Sequence, residues 1–276
     1  MRKKRVRRAA LGLAVLALTG WILWGNLSIQ CTELQVQSGN LPAAFAGYTI
    51  AQVSDLHNAE FGVGNARLLE KLRQAEPDLI ALTGDLVDSR RTDLECALVF
   101  VREAVQIAPV YYVTGNHESR IADYPALEAA MEQAGVTVLR NEAAEIERDG
   151  ETISIVGLDD PSFSEEEHTA GILQALMPAD GAFTLLLSHR PELFDTYVAC
   201  GAELVLSGHA HGGQFRLPVI GGLFAPDQGV FPTYDAGAYS EGNTTMVVSR
   251  GLGNSLFPFR VNNNPELVLI TLARTQ

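Results

Sequence analysis

The 276-residue chain has only three cysteines, Cys31, Cys96 and Cys200, and no C-x-x-C pair. An odd number without paired spacing argues against a disulfide framework and against a zinc–thiolate site. Cys96 and Cys200 fall in helical patterns and read as small core residues. Positive charge is scarce as well: 20 Lys and Arg stand against 33 Asp and Glu, a net −13. Six of those cations (Arg2, Lys3, Lys4, Arg5, Arg7, Arg8) lie in residues 1–30, which hold no acid. The rest is left with 14 cations against all 33 acids, a net −19. So acidic a body cannot neutralise a run of phosphates, and no nucleic-acid partner is expected. A small phosphate ester is not excluded. Internal repeats and low-complexity tracts are absent.

Long apolar runs are confined to one place. From Ala9 to Leu27 no residue is charged. This length is near the ~20 residues that span a bilayer. Trp21 and Trp24 sit late in it, as interfacial aromatics do. The cations before it predict a cytoplasmic N-terminus and a body on the extracytoplasmic side of the cytoplasmic membrane. No good Ala-x-Ala site follows, so residues 1–30 are read as a basic N-terminus and a single-pass signal-anchor. Export with cleavage is the rival, and Arg7-Arg8 is a loose twin-arginine signal. Residues 31–45 read as a connector with an early strand near Leu34–Val36, and 46–276 as one α/β domain.

Within that domain, apolar strands alternate with amphipathic helices. Strands are expected at 48–53, 78–82, 110–113, 183–187 and 203–206, with helices at 65–75, 94–106, 125–134, 165–177 and 192–199. This order implies right-handed βαβ units and mainly parallel pairing. Close-spaced strands at 136–139, 145–147 and 152–156 interrupt it, with Asp149-Gly150 as a hairpin turn. Glu165, Glu166 and Glu167 give helix 165–177 an acidic first turn. Residues 212–242 are rich in Gly, Pro and aromatics, with little periodicity.

Five strands end in residues that bind metals well: Asp55 and His57, Asp85, Asn116 with His117, His189, then His209 and His211. Ligands of α/β sheets bind at the carboxyl ends of strands, so the five clusters can meet on one rim. Five of the six histidines stand there; His168 lies in the acidic helix and reads as a solvated side chain. Carboxylates, imidazoles and one amide, without thiolate, suit Mn, Fe or Zn in a reactive site. There are too many ligands for one ion. Two ions bridged by one carboxylate would use them all, lower the pKa of a bridging water and clamp phosphoryl oxygens.

The order Asp55-Leu-His57, Gly84-Asp85, Gly115-Asn116-His117-Glu118, His189, Gly208-His209-Ala-His211 resembles the calcineurin-like metallophosphoesterases. That resemblance implies a four-layer αββα sandwich behind an N-terminal transmembrane helix, and a dinuclear centre of divalent or trivalent ions. It implies Asp55, His57 and His211 on one ion, Asn116, His189 and His209 on the other, and Asp85 between them. His117 corresponds to the family's non-ligand histidine, which stabilises the transition state or protonates the leaving oxygen. Glu118 is expected to order its loop. The segment Gly208–Gln214 and Arg250-Gly-Leu-Gly253 are similar to a narrower group, membrane-anchored or exported bacterial phosphoesterases. Some of that group cleave a lipid-linked pyrophosphate or phosphodiesters.

The protein phosphatase branch places arginine four residues after the bridging aspartate; here Ser89 stands there and Arg90 follows. Phosphoprotein specificity is therefore not implied. Arg90, Arg120 and Arg250, with Arg190, are candidates for gripping substrate phosphate. The expected substrates are phosphodiesters, phosphomonoesters or lipid-linked pyrophosphates, and the expected state is a monomer. The alternative is an inactive metal-binding scaffold at the membrane.

Overall fold

The computed structural model describes residues 2–163, 168–179 and 181–275. The chain opens with helix α1 (Arg2–Leu27), and its elements then run β1 (Gln30–Ser38), β2 (Thr49–Val53), α2 (Ala66–Ala75), β3 (Leu79–Thr83), α3 (Leu94–Ala104), β4 (Val110–Val113), α4 (Tyr124–Ala134) and β5 (Thr137–Val138). The second half follows as β6 (Glu142–Arg148), β7 (Glu151–Gly157), α5 (Thr169–Leu176), β8 (Thr184–Leu187), α6 (Phe194–Cys200), β9 (Leu204–Ser207), β10 (Gly237–Glu241), β11 (Thr244–Val248) and β12 (Glu266–Arg274). Between β9 and β10, Arg216–Leu217 pairs with Gly221–Gly222 and Phe224–Ala225 with Gly229–Val230.

Among the described residues the strands form two six-stranded sheets, ordered β1-β12-β2-β3-β4-β5 and β10-β11-β9-β8-β7-β6. Strands β2 to β5 run parallel, as do β7, β8, β9 and β11. Alternation along each strand separates the faces. On β3, Leu79 and Ala81 face the opposite sheet, where they meet Leu185, Leu187 and Leu206. Ile80 and Leu82 face outward, onto Leu72 of α2, Phe100 of α3 and Leu127 of α4. The outer face of the second sheet packs Val156, Leu186 and Val205 against Leu173 of α5 and Tyr197 of α6. Helices, sheet, sheet and helices thus make the four layers that the family resemblance implies.

The segment expected as a connector does more than connect. Residues Gln30–Ser38 form β1, which pairs in parallel with β12 through nine residues. Leu41 and Phe45 then enter the core between the sheets. This pairing joins the two ends of the chain, so no local pattern announces it. Helix α1 is long and apolar enough to cross a membrane. Helix α5 begins at Thr169, and the expected acidic turn, Glu165 to Glu167, lies outside the described residues.

Gly157 closes β7 where the sheets meet. A methyl group there would overlap Leu139 and stand 2.8 Å from Val113 Cγ1. Overpacking of this kind costs about 1–3 kcal/mol. Gly157→Ala should therefore lower the thermal midpoint of the purified full-length protein by several degrees. An unchanged midpoint would show that the sheets separate freely at this point.

Candidate metal centre

Apolar parallel strands end abruptly in loops at one rim. Asp55 and His57 follow β2, Asp85 follows β3, Asn116 and His117 follow β4, His189 follows β8, and His209 and His211 follow β9. All eight are buried. The side chains of Asp55, His57, Asp85 and His211 bring one ligand atom each within 4.8 Å of one another. Those of Asp85, His189 and His209 do the same, so Asp85 belongs to both groups. His57 Nε2 lies 3.1 Å from His211 Nε2, and His189 Nε2 lies 3.3 Å from His209 Nδ1. Lone pairs that converge so closely fit a cation between them. The Asn116 amide sits 3.0 Å from His209 Nδ1, at the edge of the second group. Glu192, His209 and Asp227 also cluster, but Arg190 fills that space with its guanidinium.

The loops are bent hard to achieve this. Asp55, His57, Asp85, His209 and His211 all have φ between 47° and 65°. Left-handed backbone costs an L-residue roughly 1–2 kcal/mol and gathers at functional sites. Tight loop packing holds the bends. A Cβ on Gly84 would come within 2.8 Å of Gly115 Cα and 2.7 Å of His189 Nδ1. Buried Glu118 accepts from the Asp85 N–H (2.9 Å) and the Gly115 N–H (2.8 Å), tying the β3 loop to the β4 loop. It orders its loop, as expected.

Charge is balanced within the cluster. Burial opposes ionisation of Asp85, but His189, His57 and His117 outweigh it and hold the carboxyl well below the usual range. Burial likewise opposes a charge on His189, yet Asp85 and Asp55 raise it to about 10. His211 is pushed by burial to about 3, against the pull of Asp55. Outer contacts set the ring orientations. His189 donates from Nδ1 to the Thr83 carbonyl at 2.7 Å, leaving Nε2 facing Asp85. His209 donates from Nε2 to Asp227 at 2.9 Å, leaving Nδ1 facing His189 and Asn116. Arg190 grips Asp227 and is itself held by Asp160, at 2.5 and 3.0 Å. Both of these rings are thus presented by a partner on the far nitrogen, which suits a metal ligand.

A cleft of about 290 Å³ opens over the cluster, lined by Asp85, Asn116, His117, Arg90 and Arg120 together with the apolar Phe224, Leu256 and Phe257. His117 accepts the Ser89 N–H at Nδ1 (3.0 Å), so its neutral ring carries the proton on Nε2. That nitrogen faces Ser255 Oγ at 3.1 Å, in the cleft. Burial pushes His117 down to about 4. Arg250 is not brought to the cleft, because Glu266 (2.8 Å) and Gln30 (3.0 Å) hold its guanidinium elsewhere. Sequence reasoning missed Asp227, Ser255 and Asp88. Asp88 accepts the Arg90 N–H at 2.9 Å, in the turn that presents the Ser89 N–H. Its signal was its place three residues after Asp85; Asp227 and Ser255 lie in aperiodic segments.

A two-sheet sandwich with acid and imidazole groups gathered at its strand ends defines a metal-dependent hydrolase. The profile of the calcineurin-like phosphoesterase family matches residues 48–213, and the chain belongs to that family. It is 31% identical over 90% of its length to the uncharacterized metallophosphoesterase YkuE of Bacillus subtilis, covering 86% of that protein. It is 28% identical to the phosphodiesterase YaeI of Escherichia coli, over 82% of this chain and 83% of that one. TT1561 of Thermus thermophilus shares the fold, with a TM-score of 0.52 at 16% identity, over 75% of this chain and 90% of that one. The chain is thus a metal-dependent phosphoesterase.

Loss of an outer partner of a metal-binding histidine typically costs 10–100-fold in affinity. Asp227→Ala should weaken Mn²⁺ binding by about that factor at one of two positions, read by calorimetric titration of metal-stripped protein. Asp85→Asn should weaken both. Equal, small effects of the two changes would refute a shared Asp85.

Proposed function

We propose that the chain hydrolyses phosphate ester bonds at a dinuclear centre. Asp55, His57 and His211 would hold one ion and Asn116, His189 and His209 the other, with Asp85 serving both. The membership of Asp85 in both ligand groups carries this reading. Bound there, two ions of Mn, Fe or Zn supply Lewis-acid charge and an activated water.

The chain's own residues do the rest. Arg90 and Arg120 stand at the cleft and grip the non-bridging phosphate oxygens. His117 stays neutral, with its proton on Nε2, where it can donate to the departing oxygen. Ser255 holds that N–H toward the cleft until substrate takes its place. The deep position of Asp55, Asp85 and His189 keeps bulk water from the charged cluster. Phe224, Leu256 and Phe257 give the cleft an apolar part that favours esters with an apolar or lipid portion. The similarity to the phosphodiesterase YaeI makes a diester the first substrate to try. Helix α1 anchors the chain in the cytoplasmic membrane, with the cation-rich end inside and the domain on the extracytoplasmic side.

With Mn²⁺, the full-length protein in detergent should hydrolyse bis-p-nitrophenyl phosphate. Asp85→Asn should abolish the activity. His117→Ala should lower kcat by about 10²–10⁴-fold with little change in bound metal. Stoichiometric metal without hydrolysis of any mono-, di- or pyrophosphate ester would establish the scaffold alternative.

A further inference from the structure

Large exposed apolar side chains are unevenly placed. Outside α1, those among the described residues are Val63, five residues of 217–230 (Leu217, Val219, Ile220, Phe224, Val230), Phe231, and the trio Leu256, Phe257 and Phe259. All but Val63 come from two segments. These segments touch: Phe215 packs on Phe257 and Phe259 with ring centroids 5.2 and 5.6 Å apart. The Arg216 N–H also bonds the Val261 carbonyl at 3.0 Å. The same stretches carry one acid, Asp227, which pairs with Arg190 and His209. Residues 210–226 and 250–264 contain no Asp or Glu, in a body whose net charge is −19.

Helix α1 leaves the domain at this face. Along most of its length it is exposed, and its last turn alone is fastened. Asn26 Nδ2 donates to the Arg260 carbonyl (3.1 Å), and Asn26 Oδ1 accepts the Arg260 N–H (2.8 Å) and Asn254 Nδ2 (3.3 Å). Trp21 and Trp24 border a cleft with Arg250, Arg260 and Asn262. Asn262 in turn bonds the Arg216 carbonyl at the foot of the 216–222 hairpin (3.3 Å). A helix that crosses a bilayer brings the lipid surface against whatever surrounds its point of exit. Here that surround is the apolar face, whose one acid, Asp227, is paired with Arg190 and His209, and interfacial Trp, apolar side chains and a few Arg are what such a surface accepts.

We infer that this face, formed by residues 217–231 and 256–259, rests in the headgroup region of the bilayer that α1 spans. The inference rests on α1 being a retained anchor. Its partner is the lipid surface itself. Phe224, Leu256 and Phe257 belong both to the face and to the cleft over the metal cluster. The cleft therefore opens onto the membrane rather than into bulk solvent, and phosphate esters reach it from the lipid surface.

The test uses the full-length chain in phosphatidylcholine–phosphatidylglycerol vesicles, with Cys31, Cys96 and Cys200 replaced by serine. Single cysteines at Ile220→Cys, Leu256→Cys and, as the remote control, Val63→Cys carry an environment-sensitive fluorophore. The labels at 220 and 256 should shift to the blue and be quenched by lipids with a shallow spin label; the label at 63 should do neither. Unchanged hydrolysis of soluble diester by Ile220→Cys verifies folding. Labels at 220 and 256 that stay aqueous in protein resisting alkaline carbonate extraction overturn the docking face and leave the anchor standing. Release of the protein by carbonate overturns the anchor and this inference together.

Discussion

The Asp85 carboxylate is the constraint from which the rest of the site follows. It is buried, ionised, and within 3.5 Å of His57 Nε2 and 3.3 Å of His189 Nε2. An anion there is tolerable only if cationic or metal partners are fixed around it, because desolvation of a lone carboxylate is severe. Fixing it takes both loops beside it. Glu118 holds the Asp85 main chain, Gly115 lies against it, and the His117 N–H donates to Asp85 Oδ1 at 2.8 Å. Strand β3 lies between β2 and β4 in its sheet, so the residue that must move least is carried by a strand paired on both sides.

Much of this was legible in the sequence because parallel strands buried on both faces read as short apolar runs. Each run that ended at Gly-Asp, Asn-His or His-Ala-His marked a rim position, and the eight strand-end residues do meet. The order of those motifs also pointed to the family, and so to the two sheets, which periodicity alone did not distinguish from one. What stayed hidden has physical causes. The pairing of β1 with β12 joins chain ends and leaves no local pattern. The left-handed backbone of five rim residues is fixed by loop packing; Asp and His enter that region more often than most residues, but still seldom enough that their type alone does not announce it. Asp227 and Ser255 act through loops that follow no period. Arg250 looked like a phosphate ligand because charge is visible in a sequence, whereas its partners Glu266 and Gln30 are distant in it.

Strain at the rim has a counterpart in the core. Five left-handed residues together cost of the order of several kcal/mol. Marginally stable domains bear that only where neighbouring structure over-determines the loops. Here the over-determination is visible as pairs of contacts across loops. Gly84 meets Gly115, Glu118 meets Asp85, and Asp55 accepts the His209 N–H at 3.1 Å from the opposite sheet. The site is thus a joint between two sheets, and neither sheet alone could build it.

The same logic explains why the cleft is lined by two unlike sets of residues. Its polar residues come from the first sheet, where Asp85, Asn116 and His117 follow adjacent parallel strands, β3 and β4. Its apolar residues come from segments 215–226 and 254–260, of which the first is paired only into two-stranded hairpins. They are held by polar anchors. Gln214 Nε2 donates to the Phe259 carbonyl at 2.8 Å, and the Arg260 guanidinium donates to the carbonyls of Arg250 (2.6 Å) and Gly253. Asn26 adds a tie from helix α1 to the same loop. Arg260 is buried and donates to main-chain carbonyls, and burial lowers it to about 10 against the pull of Asp55 and Glu266. A guanidinium spent on main-chain carbonyls fixes a loop without adding an acid to it. Within this face the one acid is Asp227, paired with Arg190 and His209, while the rest of the body remains acidic.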